Sequence, residues 1–500
     1  MSKMKLAVCA SSLALAAASG AQAGSLWIAN ITQASENPPT GVPFTGVGTL
    51  ILNDTETVGI VRASNNIPPP LSAGHIHRAP IGVNGPVIFP FPDPVGNTVG
   101  PLTWNMSAAE VASLKTLGLY FNFHTPAFPI GVIRGQIQRF SFAPAAADPS
   151  QAAVAAALDV APSRSADLDA VILALAVSST AVQTQGLADL SGRSIYAQGR
   201  EAVETMADFE DSLFSHAEEQ ASNRTEGFGG FLQAGDAFGK RDTVAGQAGS
   251  KVSRPSILGG VDFGMSSGSR VGLAVGYAKG KDKFRNGAGK TDSATTAVQG
   301  YFSTGGDSFV FTAVGGYGWS SFDTTRNLGA VGRVATSSHD GKVWSLGAKV
   351  SAPMAFSDAM TVAPYGLVDI QHASVEAYTE TGAGAAGLVV PKHKDQTAAV
   401  EAGAALVIPM GGEAGAATAR LQAGWRYRID DDDDGIATAF IGSPTPFDTP
   451  VLTSGKSAAH LAASINARLG ENLTASAGYR GLIAKRANVH TVEVRLALRM

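Results

Sequence analysis

Ala419-Arg420-Leu421-Gln422-Ala423-Gly424-Trp425-Arg426-Tyr427-Arg428 decides the fold, because its character changes at every step. Ala419, Leu421, Ala423, Trp425 and Tyr427 form one apolar face, while Arg420, Gln422, Arg426 and Arg428 form the other. A period of two is the period of a β-strand with one face in apolar surroundings. The pattern recurs downstream. Leu461, Ala463, Ile465 and Leu469 alternate with His460, Ser464, Asn466 and Arg468, and Val492, Val494, Leu496, Leu498 and Met500 with Glu493, Arg495 and Arg499. About twelve such segments begin near residues 226, 254, 269, 292, 307, 339, 360, 393, 415, 454, 471 and 488. A soluble sandwich also alternates, but its apolar face must meet a second sheet. Long strands whose other face carries small, polar or basic residues fit a transmembrane barrel, in which lipid covers the apolar face and closure leaves no strand edge in hydrocarbon. Tyr317 and Trp319 suit an interfacial aromatic girdle.

Working outward, the 500 residues are poor in charge (16%) and rich in glycine (58), with a net charge of −4. Mean hydropathy is +0.10. No global basic field points to nucleic acid. Beyond the N-terminus no run reaches 18 apolar residues, which excludes a helical membrane protein but not a barrel. Lys3 and Lys5, the apolar stretch Leu6 to Ala18, and Ala21-Gln22-Ala23 read as an export signal over residues 1–23. The single cysteine, Cys9, lies within it, so the exported chain has no disulfide framework.

Three zones follow. Residues 24–142 hold short alternating stretches (Gly46–Leu52, Val58–Ala63, Pro86–Phe91 and Leu119–His124) between turn residues, the signature of an antiparallel β-sandwich. Residues 143–223 turn Ala- and Leu-rich and predict helices over Gln151–Val160, Asp167–Val177 and Ser194–Gln220. The last carries an apolar stripe of Ala202, Met206, Phe209 and Leu213, with Glu201, Glu204, Asp208, Glu210, Asp211, Glu218 and Glu219 on its other faces. Residues 224–500 form the barrel. An acidic helix just before a barrel with Arg420, Arg426, Arg428, Arg468, Arg495 and Arg499 on its inner faces is expected to sit in the pore and pair with those arginines, rather than remain a solvated face.

From about residue 150 to the C-terminus the chain resembles a monomeric autotransporter: the Ala/Leu-rich segment, Ile195-Tyr196-Ala197 opening the pore helix, Pro364-Tyr365-Gly366 and Gly424-Trp425-Arg426-Tyr427 carry the likeness. The first zone resembles the CHRD domain, named after chordin. The matching pieces are Glu36-Asn37-Pro38-Pro39, Gly74-His75-Ile76-His77, Gly82-Val83-Asn84-Gly85-Pro86-Val87, Tyr120-Phe121-Asn122-Phe123-His124-Thr125 and Gly131-Val132-Ile133-Arg134-Gly135-Gln136. Together these resemblances imply a monomeric outer-membrane protein that secretes and displays a CHRD-like domain at the cell surface for adhesion or protein binding. Its partners would be the lipid bilayer, the outer-membrane assembly machinery and an extracellular protein ligand, with no nucleic acid, no cofactor and no catalysis.

One alternative stays open. His75 and His77 lie two apart on an expected strand and so share a face, and His124 can join them from a neighbour. Three imidazoles suit zinc or copper. The His-x-His strand is similar to one in copper-zinc superoxide dismutase, which would make the displayed domain a metal-binding or redox protein. The bland account is that these rings bond backbone and fix loops. Gly264-Met265-Ser266-Ser267-Gly268 fits a serine-hydrolase motif, and Gly306-Asp307-Ser308-Phe309 a lipolytic one, but both fall at expected barrel turns, whereas a nucleophile elbow needs a strand-to-helix turn. The acidic run Asp430–Asp434 could offer oxygens to Ca²⁺, but an acidic run after a strand reads first as a solvated loop.

Overall fold

The computed structural model describes residues 24–499 apart from Pro94 and residues 161–163, 224–225, 245, 267, 307, 358–359, 411–416, 431–434 and 450–454. The export-signal segment with Cys9, Met500, and most of the Asp430–Asp434 run lie outside the described residues. Two compact units divide the chain, the main break falling after Ser141, with Asp159 and Val160 grouped with the first unit.

The first unit contains β1 (Ser25–Thr32), β2 (Thr45–Leu52), β3 (Val58–Asn65), β4 (Ala73–Arg78), β5 (Val87–Pro90), β6 (Thr98–Asn105), α1 (Ala108–Lys115), β7 (Leu119–Thr125), β8 (Phe128–Gln136) and β9 (Gln138–Arg139). All pairings are antiparallel, in the order β5-β4-β7-β8-β1-β2-β3-β6, with β9 also on β1. The two layers of the sandwich belong to this one sheet, which folds over its own core. Phe89 on β5 stacks on Trp104 of β6, ring centroids 4.9 Å apart, although those strands are opposite ends of the sheet. Trp27, Ile31, Leu50, Leu52, Phe121, Phe123 and Ile133 fill the space between. Helix α1 breaks the expectation of an all-strand zone. Its start is a reciprocal capping box, Ser107 accepting from the Glu110 backbone and Glu110 accepting from the Ser107 backbone.

In the second unit, α2 (Pro149–Val160), α3 (Ala166–Ala176), α4 (Thr180–Leu190) and α5 (Tyr196–Asn223) precede the barrel. Helix α4 has no counterpart in the periodicity; Ser179 caps it, and Gly186 lies within it. The remaining strands are β10 (Gly227–Arg241), β11 (Ser250–Gly264), β12 (Arg270–Phe284), β13 (Gly289–Gly305), β14 (Val310–Leu328), β15 (Arg333–Ser351), β16 (Met354–Ser357), β17 (Met360–Val375), β18 (Tyr378–Thr379), β19 (Leu388–Val390), β20 (His393–Met410), β21 (Ala417–Arg428), β22 (Ile436–Phe440), β23 (Pro446–Thr449), β24 (Ser457–Arg468), β25 (Leu473–Ala484) and β26 (Ala487–Arg499). Thirteen of these make one sheet, β15-β14-β13-β12-β11-β10-β26-β25-β24-β21-β20-β17-β16, and a further β15–β17 pairing closes it. Since β16 is a four-residue ribbon on β17, the closed barrel has twelve long strands. The remaining short strands, β18, β19, β22 and β23, form a separate small sheet in the connections after β17 and β21.

Alternation along the barrel strands sorts the side chains between lipid and lumen. On β26, Val492, Val494, Leu496 and Leu498 are exposed, whereas Arg495 is buried inside. Leu421, Trp425 and Tyr427 face outward on β21, as do Tyr317 and Trp319 on β14. No helix among the described residues is long and apolar enough to cross a membrane; the closed barrel suits hydrocarbon because closure pairs every strand edge. Replacing Val494 by Arg should cost about 2–4 kcal/mol at mid-membrane depth, less toward an interface. The corresponding measurement is the temperature at which the folded barrel loses its fast electrophoretic mobility in detergent; an unchanged temperature would mean that Val494 does not face lipid.

Candidate functional site

Two buried polar arrangements stand apart from the packing cores. One lies within the barrel. Helix α5 occupies the lumen, its stripe of Ala202, Met206, Phe209, Leu213 and Phe214 packed against Leu258, Ala274, Ala278, Ala297 and Val343. Small inward residues make the room: a Cβ on Gly276 would come within 2.7 Å of the Phe209 ring. The helix starts at the end of the barrel that carries the long connections, where Tyr196 Oη donates to the Ala248 carbonyl (2.8 Å) and Gln198 donates to Tyr378 Oη (3.0 Å). Near its other end, His216 Nε2 meets Asp262 Oδ2 at 2.9 Å, two residues from the end of β11 and its short turn.

The acidic faces of α5 meet cations, but not mainly those of the late strands. Glu201 lies 3.1 Å from both Arg241 and Arg254, Glu204 lies 2.7 Å from Arg241 and 3.3 Å from Arg254, and Asp208 lies 3.0 Å from Arg254. Arg241 and Arg254 sit on β10 and β11, the first two barrel strands, and neither stood among the expected partners. Arg241 also holds Asp282 at 2.6 Å, which accepts from Ser250 Oγ at 2.6 Å. Late strands hold the other end of the helix: Arg420 pairs with Glu218 at 2.5 Å, and Arg495 holds both oxygens of Glu219 at 2.7 Å. Lys349, from β15, is a second partner of Glu218 at 2.9 Å.

Four expected helix partners do not pair with α5: Arg499, half-buried at the end of β26, has no ion pair among the described residues, and the other three are engaged elsewhere or exposed. Arg426 pairs with Asp369 of β17 (2.6 Å), and Arg428 pairs with Asp430. Arg468 is exposed and has no ion pair among the described residues. The lumen is therefore of mixed sign, because Asp262, Asp282, Asp369, Glu401 and Glu493 also point inward, and strand cations such as Arg426 and Arg480 serve them. Ser266 sits in the β11–β12 turn and Ser308 in the β13–β14 turn, with no helix following either.

The second arrangement lies on the outer face of the first unit's sheet. Every residue of β7 is buried. Leu119, Phe121 and Phe123 enter the core, so Tyr120, Asn122 and His124 must be covered from the other side. Register places His77 opposite Tyr120, His75 opposite Asn122 and Asn122 opposite Arg134. The Arg134 guanidinium lies 3.4 Å from the Tyr120 ring centroid and donates to the Val83 (2.9 Å) and Pro80 (3.1 Å) carbonyls, tying down the cover. Gly85 donates to Tyr120 Oη at 3.1 Å, and a Cβ at Gly85 would stand 2.0 Å from the Arg78 carbonyl oxygen. Each sequence piece quoted for the CHRD likeness thus contributes to one layer: Glu36, His75 and His77, Val83 to Gly85, Tyr120 to His124, and Arg134 with Gln136.

Within this layer the three histidine rings cluster, with centroids 5.4 Å (His75–His77), 5.1 Å (His75–His124) and 6.1 Å (His77–His124) apart. His77 Nδ1 lies 2.9 Å from the Gly85 carbonyl and His124 Nδ1 3.1 Å from the Pro129 carbonyl. Burial, reinforced by the charges His124 and His77 would carry, pulls His75 down to about 4. Burial also holds His77 and His124 below the ordinary imidazole value, and it raises Glu36 above its ordinary value.

Comparison with known proteins agrees with both halves. Residues 230–480 match the family model of the autotransporter beta-domain, and residues 27–137 match that of the CHRD domain. Among solved structures, the chain is similar to the translocator domain of the autotransporter NalP from Neisseria meningitidis (14% identity, 60% of this chain and 99% of that one, TM-score 0.49). It is also similar to the beta domain of the Bordetella autotransporter BrkA (14% identity, 55% and 100%, TM-score 0.42). No curated protein sequence matches it significantly.

Deleting residues 194–222 should raise single-channel conductance in planar bilayers and lower the barrel's unfolding temperature. Equal conductance would place the helix outside the pore. Arg254→Ala strands oxygens of Glu201 and Asp208 and should cost about 3–5 kcal/mol if the site stays dry, nearer 1 kcal/mol if water enters.

Proposed function

The chain belongs to the autotransporter family, and we propose that its barrel carries the CHRD-like domain to the cell surface and holds it there to bind protein. The barrel lies in the outer membrane and serves secretion of the segment ahead of it. What supports the finer reading is the course of α5, which fills the pore and begins at the end with the long connections. In outer-membrane barrels the long loops are extracellular and the turns periplasmic. A chain that enters the pore from outside implies that the residues before it are already outside. Assembly would use the outer-membrane assembly machinery, and a monomer suffices because one closed barrel holds one helix.

What supports a binding role is the composition of the first unit. Neither family is an enzyme family. The charges of residues 24–142 balance, with Arg62, Arg78, Lys115, Arg134 and Arg139 against Glu36, Asp54, Glu56, Asp93 and Glu110. A neutral domain recognises by shape and hydrogen bonding, with modest dependence on salt.

Protease added to intact cells should remove residues N-terminal to α5 and leave a protected barrel with its helix. Protection of the whole chain until the outer membrane is opened would contradict surface display. Ligand binding to the displayed domain should change less than about threefold between low and physiological salt; a collapse would favour an electrostatic partner.

A further inference from the structure

We propose that His75, His77 and His124 form a binding site for one divalent transition-metal ion of borderline softness, Zn²⁺ or Cu²⁺. This goes beyond surface display and does not depend on it.

Geometry carries the inference. One ring nitrogen from each residue lies within 4.8 Å of one from each of the other two, and among the described residues no other group of three histidine, cysteine or carboxylate side chains comes together in this way. A point therefore exists no more than about 2.8 Å from all three nitrogens, so that moving each ring inward by roughly 0.7 Å reaches the Zn–N distance of about 2.0–2.1 Å. The hydrogen bonds orient the rings for this. With Nδ1–H of His77 and His124 donating to the Gly85 and Pro129 carbonyls, the lone pair of each ring is on Nε2. Those two Nε2 atoms are buried and have no hydrogen-bond partner, and neither has His75 Nδ1. His77 and His124 are each 8% exposed.

If the rings served only to fix loops, Nδ1 of His77 and His124 would account for the whole role, and a buried nitrogen without a partner on each of three clustered rings would be an unrelieved cost. Backbone-bonded histidines presenting a free lone pair are what a metal centre requires of its outer shell. Three neutral imidazoles favour Zn²⁺ and Cu²⁺ over Ca²⁺ and Mg²⁺, which prefer oxygen. Three protein ligands leave a fourth position, and His75 is the half-buried member through which that position would be reached.

The test uses the full chain, purified in detergent, stripped with chelator and titrated with Zn²⁺, Cu²⁺ and, as a spectroscopic probe, Co²⁺. One equivalent of Zn²⁺ should bind and displace Co²⁺ with loss of its visible absorption, while Ca²⁺ should not compete. Six other histidines lie in the barrel. The His75→Ala/His124→Ala variant separates their contribution and should lose the Co²⁺ band. His75→Asn removes a half-buried ring whose Nδ1 bonds nothing, so it should leave the thermal transition of the apo domain in place. It should still weaken Zn²⁺ at least about 100-fold, beyond the loss of an outer-shell partner. Binding that is equally strong in wild type and both variants, or equal affinity for Ca²⁺, would overturn the proposal.

Discussion

Hydrocarbon supplies no hydrogen-bond partner, so a sheet that crosses it must have no edge. Here that constraint is met where β10 joins β26, Gly229 opposite Arg499 through Arg241 opposite Ala487, and where β15 joins β17 across the hairpin ribbon of β16. Once the ring is closed, every inward side chain faces every other across a confined lumen. Helix α5 fits that space because β12 presents Ala274, Gly276, Ala278 and Gly280 to it, and it stays because Glu201, Glu204 and Asp208 share two guanidinium groups. Removing any one member leaves a buried charge, so the network fixes the helix in one axial and rotational setting more than it adds net stability.

Much of this was legible because a period of two survives any lumen chemistry. The expected strand starts lie within six residues of those observed, the largest difference falling at β15, which begins at Arg333 rather than near 339. The choice of cations holds only in part: Arg420 and Arg495 do pair with the helix, but its first carboxylates are held by Arg241 and Arg254. Arginines are abundant on three late strands, but abundance in sequence is not proximity to the helix. On β11, Arg254 shares its buried face with Val252 and Leu258, whereas Lys251 and Ser253 share the outer face with Ile257, so polarity does not alternate cleanly there and the rule that finds the late-strand arginines leaves Arg254 unplaced. The strand carboxylates Asp369 and Glu401 also face the lumen, and they take the ion pairs expected between Arg426 and the helix.

In the first unit, the residues that resist periodic reading are those that form the polar layer. Tyr120, Asn122 and His124 alternate with Leu119, Phe121 and Phe123, so β7 reads as half-exposed, whereas the segment around Pro80 to Gly85 covers it. That cover is held by a guanidinium on an aromatic ring and by bonds to backbone oxygens, neither of which leaves a spacing in sequence. Helix α1 did leave one, in Ser107-x-x-Glu110.

The account rests on α5 standing inside the closed barrel, and the chain's single cysteine, Cys9, leaves residues 24–500 free of thiols for a direct measurement. A Cβ built on Gly199 of α5 would lie 2.7 Å from Cβ of Asp395 on β20, close enough that a small shift reaches the disulfide separation of about 3.8 Å. Mild oxidation of the Gly199→Cys/Asp395→Cys variant in intact outer membranes should lock helix to strand, seen as a reducible mobility shift of the denatured chain, while either single variant stays unshifted. Two thiols that remain free and alkylate independently in the assembled barrel would contradict the central claim.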